Sequence, residues 1–298
     1  MPAGGRILNQ DEQRSGIGWA LAAFGLWGVG PVYFKTVGYV PPLELLAHRV
    51  VWCVTLTALL IALGRDWGQL RKGIRDRRTL GTLAFSAALV AVNWFTYIYA
   101  VTTDRIVEAS LGYFINPLVN VVLGMLFLRE RLTRPQLLAV LLALAGTLNL
   151  TLSVGAPPWI ALTLAVCFGF YGLMRKTVRI EAVNGLFVET AMLAPFASVY
   201  LLWLAWRGEG AFGTIDLRTD ALLLLAGVVT ALPLVWFTRA ARRLRYITIG
   251  LLQYIAPTLQ LLIGVLVYGE SFTHAHWVTF GLIWAALAVF TWDAISRR

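Results

Sequence analysis

The stretch that decides the fold is residues 105–133, RIVEASLGYFINPLVNVVLGMLFLRERLT, because it recurs at residues 245–273 as RYITIGLLQYIAPTLQLLIGVLVYGESFT. At an offset of 140 residues the two stretches share eight identities. These are Arg105/Arg245, Leu111/Leu251, Ile115/Ile255, Pro117/Pro257, Gly124/Gly264, Leu126/Leu266, Glu130/Glu270 and Thr133/Thr273. Pro, Glu and Arg are rare in apolar helices, so the match indicates an internal repeat. The triplets Lys35-Thr36-Val37 and Trp94-Phe95-Thr96 also recur, at residues 176–178 and 236–238.

The composition around the repeat is that of a membrane protein. Of the 298 residues, 59% are hydrophobic and only 13% are charged, and the mean hydropathy is +0.73. These values exclude a water-soluble globule. Ten apolar runs approach the ~20 residues that a helix needs to cross a bilayer. They predict helices at residues 16–37, 43–63, 80–101, 106–128, 135–152, 157–175, 184–206, 219–240, 246–268 and 275–293.

The basic residues predict the orientation of these helices. With a cytoplasmic N-terminus, the inside segments hold twenty Lys and Arg residues, whereas the outside segments hold only Lys35, Arg105, Arg207 and Arg218. This asymmetry predicts that both termini are cytoplasmic. The net charge of +10 lies in short clusters rather than on one basic face, so we expect no nucleic-acid partner. Residues 1–15 are polar and do not resemble a cleavable signal peptide.

A repeat of five helices must be inverted, because an odd number of crossings brings the second copy into the membrane from the opposite side. We therefore predict an all-α membrane protein of ten transmembrane helices in two inverted five-helix repeats. The predicted divisions are a cytoplasmic tail at 1–15, a first repeat at 16–152, a second repeat at 157–293 and a cytoplasmic tail at 294–298. Inverted repeats place a site near the bilayer midplane, where rocking of the halves gives alternating access.

Ionisable residues inside the predicted helices are candidates for the transport path, since they are costly in hydrocarbon. They are Glu44, His48, Arg49, Glu108 and Glu189. Glu44, His48 and Trp52 share one helix face, and Glu44 and His48 are expected to interact. At an offset of 141 residues, Glu189 corresponds to His48 and could face it across the repeat axis. Equally, Glu44 and Arg49 could form a structural pair, with His48 satisfied by a backbone carbonyl.

Polar and aromatic side chains extend the predicted cavity. Glu108, Asn116 and Asn120 lie on one helix face, and Pro117 and Pro257 should bend their helices and free backbone carbonyls beside them. The amides could instead join helices. The full set of predicted cavity residues is Glu44, His48, Asn93, Trp94, Tyr97, Glu108, Asn116, Asn120, Glu189, Trp236, Gln253 and Tyr254.

Other patterns are predicted to be structural. Glu130 and Glu270 end helices, and Thr133 with Gln136 has the spacing of a capping box. Cys53 and Cys167 are expected to be packing residues. The sequence contains no phosphate-binding glycine loop, zinc-protease motif or nucleophile elbow, and His274 with His276 is a weak metal pattern. We therefore expect no cofactor, no metal and no direct use of ATP.

The run Glu108–Asn120, EASLGYFINPLVN, resembles RarD, the chloramphenicol-sensitivity permease group of the drug/metabolite transporter superfamily, which has tandem EamA repeats. The resemblance continues through Ala47-His48-Arg49, Asn93-Trp94, Glu189-Thr190, Gln253-Tyr254-Ile255 and Tyr268-Gly269-Glu270 and covers nearly the whole chain. It implies ten helices, cytoplasmic termini and a permease of the bacterial inner membrane. Related YddG-like members export neutral and aromatic amino acids, and others move drugs or nucleotide sugars.

The resulting hypothesis is a secondary transporter that exports small metabolites, with neutral or aromatic amino acids as the leading solutes. It would bind its solute within the bilayer and could function as a monomer. The alternatives are a chloramphenicol-type drug permease, a membrane enzyme that uses Glu44 and His48 as a catalytic pair, and a non-transporting partner or sensor subunit. Proton coupling through His48 and the buried carboxylates is a further hypothesis.

Overall fold

A computed structural model describes residues 10–64, 67–128, 133–178, 180–241, 243–244 and 252–296, and all regular structure within them is helical. The helices are α1 Gln10–Gly28, α2 Gly30–Thr36, α3 Pro42–Gly64, α4 Trp67–Ile74, α5 Arg77–Thr102, α6 Ile106–Leu128, α7 Arg134–Val154, α8 Trp159–Thr177, α9 Ala182–Arg207, α10 Leu217–Ala241, α11 Ile255–Leu262 with a π-helical extension Ile263–Val267, and α12 His274–Ser296. The all-α prediction is confirmed.

Seven helical segments in the described part of the chain are long and apolar enough to cross a membrane. They are Arg14–Thr36, Pro42–Gly64, Arg77–Thr102, Arg134–Ser153, Val183–Arg207, Leu217–Phe237 and His274–Asp293. Two shorter apolar helices, Trp159–Arg175 and Ile255–Val267, accompany them. Large apolar side chains such as Leu152, Phe196 and Trp206 are exposed, as suits a surface that contacts lipid. The chain is thus a multi-pass membrane protein, and the count of ten spans stays a prediction.

The first predicted helix is interrupted. Instead of one helix over 16–37, α1 ends at Gly28 and α2 begins at Gly30, with Pro31 in its first turn. Pro31 has no N–H to donate to the carbonyl of Trp27, four residues earlier. That carbonyl instead accepts a hydrogen bond from Nε2 of Gln260 at 3.1 Å. A proline on one helix thereby creates an acceptor for an amide on another.

The ninth predicted helix differs more. Residues 245–251 lie outside the described residues, Gln253 and Tyr254 form a turn, and α11 begins at Ile255. Pro257 is therefore in the first turn of α11 rather than in mid-helix. It lacks the N–H that would pair with the carbonyl of Gln253, so the turn falls where Pro257 disfavours a continuous helix. The helix α6 runs without interruption through Pro117, whose side chain lies outside the described residues.

Side-chain caps fix the starts of α7 and α5. The predicted capping box of α7 is confirmed, because Thr133 accepts from the Gln136 amide while the Gln136 side chain accepts from the Thr133 amide. At α5, Asp76 accepts from the amides of Arg78 and Thr79 at 3.1 Å each. The Thr79 hydroxyl and these amides hold the pKa of Asp76 below its usual range. Glu130 lies outside the described residues.

The helices pack in a recurrent pattern. α7 packs on α12, α6 on α8, and α1 on both α10 and α11. α3 packs on α9 and α10, and α5 packs on α8 and α9. The α3, α5, α9 and α10 contacts bury a core that includes Val50, Cys53 and Trp94, so the polar residues of α3 lie among packed helices.

Two of these contacts depend on glycine. A Cβ at Gly112 of α6 would lie 2.7 Å from the backbone oxygen of Ala161 in α8. One at Gly227 of α10 would lie 2.6 Å from the backbone carbonyl of Trp52 in α3. Small residues allow the close backbone approach that is typical of helix pairs in membranes.

Candidate functional site

Glu44 holds the start of α3 against the loop that follows α9. Its side chain is 1% exposed, and Oε1 accepts the backbone N–H of Ala211 at 2.6 Å. The other carboxylate oxygen, Oε2, is buried and has no hydrogen-bond partner. The next residue of that loop, Phe212, contacts the His48 ring with the ring centres 5.4 Å apart. One carboxylate thus ties α3 to a loop 167 residues away.

The imidazole of His48 has an assignable tautomer. The indole N–H of Trp52 donates to Nδ1 of His48 at 3.3 Å, so Nδ1 is the acceptor and the proton of the neutral ring lies on Nε2. Nε2 lies 3.9 Å from Oε1 of Glu44, beyond hydrogen-bond length, and has no hydrogen-bond partner. The predicted proximity of Glu44 and His48 is present, and Trp52 shares their face.

Arg49 points away from Glu44 into a group of aromatic rings. Its Nε donates to the hydroxyl of Thr230 at 2.7 Å, and its guanidinium carbon lies 4.2 Å from the centre of the Trp94 ring. The Phe34 ring lies on the same cation, at 5.5 Å. The alternative of a Glu44–Arg49 structural pair is wrong, because Glu44 binds Ala211 and Arg49 binds Thr230. We call Phe34, Arg49, Trp94, Tyr97, Tyr113 and Thr230 the Arg49 cage.

Glu189 forms a separate polar cluster on α9. Its carboxylate accepts the hydroxyl of Ser86 at 2.5 Å and that of Tyr171 at 3.4 Å, and it lies 3.8 Å from Nη1 of Arg175. The side chain is fully buried. His48 has different partners, so the described contacts do not bring Glu189 and His48 together as the repeat suggested. The two side chains nevertheless lie on α3 and α9, which pack on each other.

Two amides of the predicted cavity, Asn93 and Asn116, donate to backbone carbonyls. Nδ2 of Asn93 donates to the carbonyl of Leu164 at 3.1 Å, and Nδ2 of Asn116 donates to that of Ala165 at 3.0 Å. Asn120, in turn, donates to Oδ1 of Asn116 at 3.2 Å. These bonds attach α5 and α6 to consecutive residues of α8. They favour the alternative in which the amides join helices.

The remaining predicted residues are dispersed. Glu108 forms a two-point ion pair with Arg105, with distances of 2.7 and 2.8 Å. Trp236 faces Trp19 with ring centres 6.4 Å apart, rather than its repeat counterpart Trp94. Tyr254 stacks on Phe114 at 6.3 Å. Gln253 lies in the turn before α11 and is partly buried.

No group of three or more His, Cys, Asp or Glu side chains that could hold a metal ion occurs among the described residues. His276 accepts the backbone N–H of Thr273 at 3.2 Å, so it serves as a cap at the start of α12. Both cysteines are free and buried.

Sequence reasoning missed the role of Arg49 as the centre of a cage. The signals are in the sequence, since Arg49 lies inside an apolar run and Trp94 and Tyr97 are predicted cavity residues. Their convergence depends on helix rotation and on which helices are neighbours. The sequence also gives no sign of the hydrogen bond between Glu44 and the backbone N–H of Ala211, because any loop residue could supply such a donor.

The chain is similar to a known transporter family and to proteins that match it over nearly its whole length. The model of the EamA-like transporter family matches residues 14–152. Protein RarD of Salmonella typhi is 46% identical over 98% of this chain and 99% of its own length. An uncharacterized transporter of Vibrio cholerae is 45% identical over 97% of this chain and 95% of its own. A protein of Pseudomonas aeruginosa named chloramphenicol-sensitive protein RarD is 32% identical, over 94% of each chain.

A solved structure has the same fold at lower similarity. It matches with a TM-score of 0.59 and 22% identity, and the match covers 96% of this chain and 99% of that one. At 22% identity, this match supports the fold and nothing further. Membership of the family follows from the 46% identity to protein RarD. The multi-pass helical architecture agrees with these relatives. The chain therefore belongs to the RarD group of EamA-like permeases in the drug/metabolite transporter superfamily and is a membrane transporter.

Proposed function

We propose that this transporter exports small metabolites, above all neutral and aromatic amino acids, by alternating access between two inverted five-helix repeats. The first repeat would consist of α1 with α2, α3, α5, α6 and α7. The second would consist of α8, α9, α10, α11 with the segment before it, and α12. The proposal places the protein in the bacterial inner membrane with both termini in the cytoplasm, as the distribution of basic residues favours.

The observation that carries the proposal is the exchange symmetry of the helix contacts. If each helix is replaced by its counterpart, the α6–α8 contact becomes the α11–α1 contact. The α3–α10 contact becomes α9–α5, and the α1–α10 contact becomes α8–α5. The α7–α12 and α3–α9 contacts map onto themselves. A pseudo-twofold axis would produce this pattern, and transporters with such repeats bind their solutes at the repeat interface.

The buried charges support a solute path along α3, α5, α9 and α10. Glu44, His48 and Arg49 on α3 and Glu189 on α9 are all buried. Trp94 and Tyr97 of α5 add aromatic surface beside them. Ionisable groups within a membrane protein mark solute or ion pathways, and amphipathic aromatic surface suits a small solute. Asn93 and Asn116 would fix α5 and α6 against α8.

The second candidate is a drug permease. It is favoured by one comparison, the Pseudomonas aeruginosa relative named for chloramphenicol sensitivity. A membrane enzyme is less well supported, because Glu44, one half of the predicted catalytic pair, already accepts the Ala211 amide. The proposal therefore assigns no catalytic residue.

The test is solute flux in proteoliposomes made with the full-length protein. We expect exchange of labelled phenylalanine, tryptophan or leucine above that of protein-free vesicles, with an effect of an imposed pH gradient if protons are coupled. A Glu189→Gln variant should lose most of the flux, whereas an exposed Glu209→Gln variant should keep it. Flux of chloramphenicol without flux of any amino acid would favour the second candidate, and no flux of either would reject the proposed solutes.

A further inference from the structure

We infer that Arg49 binds the carboxylate of an organic solute, and that the Tyr97 hydroxyl is its second donor. The inference rests on the proposed function in that it describes how the same transporter would recognise its solute. It specifies the class as small organic acids with an apolar or aromatic body, zwitterionic amino acids included.

The first argument is the unbalanced charge of Arg49. The residue is 8% exposed, and among the described residues it forms no ion pair with a carboxylate. A guanidinium has five N–H donors. Here Nε is used by Thr230, while Nη1 is buried without a hydrogen-bond partner. Removing an unpaired charge from water is costly, so such a group calls for an anion or several acceptors.

The aromatic rings do not meet this need. Trp94 and Phe34 place ring surfaces on the cation, which attracts it through their quadrupoles. A ring accepts no conventional hydrogen bond and cancels no charge, so the in-plane donors stay free. The two rings and the Thr230 hydrogen bond restrain the guanidinium, and its planar donor group suits two-point binding of a carboxylate.

Tyr97 supplies the independent second observation. Its side chain is 6% exposed, and its hydroxyl is another buried polar group without a hydrogen-bond partner. The Tyr97 ring packs on Phe34 with ring centres 5.5 Å apart, and the Phe34 ring in turn lies on the Arg49 guanidinium. The Tyr97 hydroxyl lies close against Gly30, where an added Cβ would be only 3.2 Å from it. Two unfilled donors therefore occur in one cage, and a carboxylate would fill both.

The cage also indicates what the rest of the ligand is. Trp94 and Phe34 present ring surface rather than polar groups to the guanidinium, so the body of the ligand should be apolar or aromatic. A strongly hydrated inorganic anion would gain little from such surroundings. The shared chemistry of the expected ligands is thus one carboxylate on a small hydrophobic body.

The experiment compares two ligands of nearly the same shape, 3-phenylpropionate and its uncharged amide, on the purified full-length protein. We expect the acid to bind at least about tenfold more tightly than the amide and to raise the thermal unfolding temperature. Arg49→Gln should weaken acid binding by roughly ten- to a hundredfold while changing amide binding less than about threefold. Arg49→Lys should be intermediate, and Tyr97→Phe should weaken acid binding by about two- to tenfold.

Arg207→Gln is the matched control, because it removes an exposed cation outside the cage and should leave both affinities unchanged. If Arg49→Gln does not fold, two other measurements test the inference. They are the ratio of acid affinity to amide affinity in the wild-type protein and the acid affinity of the Tyr97→Phe variant. Equal binding of acid and amide, an Arg49→Gln variant with wild-type acid affinity, or equal protection by chloride or phosphate would overturn the inference. Arg49-dependent acid binding without amino acid flux would reject the proposed function and leave the inference standing.

Discussion

The carboxylate of Glu270 accepts the backbone N–H of Ile106 at 2.7 Å, across 164 residues of sequence. Its second oxygen accepts the N–H of Val107 at 2.8 Å. The first N–H groups of a helix have no partner within the helix, so Glu270 caps α6 from the loop before α12. Burial raises the pKa of Glu270, and the two amides oppose that rise. The structural role predicted for this glutamate is confirmed.

Loss of this cap should destabilise the protein. We expect Glu270→Ala to lower the free energy of unfolding by about 1–3 kcal/mol, because two buried amides lose their acceptor. Glu270→Gln should cost less, since it keeps one acceptor oxygen. Thermal unfolding in detergent measures both. Glu209→Ala, which removes an exposed carboxylate, should stay within about 0.5 kcal/mol of the wild type; if it were as destabilising as Glu270→Ala, the cap would not be the cause.

A second prediction separates the two properties of Glu44. Glu44→Gln keeps an oxygen for the Ala211 amide but removes the charge, whereas Glu44→Leu removes both. We expect Glu44→Leu to cost about 1–3 kcal/mol more in unfolding free energy than Glu44→Gln, because a buried N–H is left without an acceptor. Both should reduce solute flux if the charge is needed for transport. Equal stability of the two variants would show that the Ala211 hydrogen bond contributes little.

Much of the fold follows from local patterns. The predicted helix 106–128 agrees with α6, Ile106–Leu128, because an apolar run between charged residues defines both ends. The predicted capping box at Thr133 also needs only neighbouring residues. The predicted helix bounds are wrong where prolines interrupt: Pro31 separates α1 from α2, and near Pro257, where a bend is predicted, the chain already turns at Gln253. Hydropathy alone does not register a missing backbone donor.

The site was harder to predict because its partners come from distant helices. The sequence marks Asn93 and Asn116 as polar residues on helix faces. Only the packing of α8 beside them shows that backbone carbonyls accept their side-chain N–H groups. The sequence leaves open whether Glu44 interacts with His48 or pairs with Arg49, because all three are close along α3. In the structure the two side chains diverge, because Ala211 and Thr230 offer partners on either side of α3.

A third prediction concerns the close contact of α6 with α8. Gly112→Ala should destabilise the protein by about 1–3 kcal/mol, because the added methyl would meet the Ala161 carbonyl, which is backbone and cannot move aside without shifting α8. Gly172→Ala in α8 is the matched control, since a Cβ there has no neighbour within 4 Å. It should be neutral or stabilising by up to about 1 kcal/mol. Unfolding midpoints that fall equally in both variants would contradict close packing of α6 on α8.

The last prediction tests the inversion of the repeats at one pair of equivalent positions. Ile74 at the end of α4 and Ile215 in the loop before α10 are 141 residues apart, and both are exposed. In a background with Cys53 and Cys167 replaced by serine or alanine, Ile74→Cys should react with a membrane-impermeant maleimide only in inside-out vesicles. Ile215→Cys should react only in spheroplasts, in which the outer face of the inner membrane is accessible. The reason is that an odd number of membrane crossings separates the two equivalent loops. The native cysteines are buried, so the unsubstituted protein should remain unlabelled until denatured. Labelling of both positions from the same side would mean that the two halves run in parallel, and the symmetric helix contacts would then need an origin other than an inverted repeat.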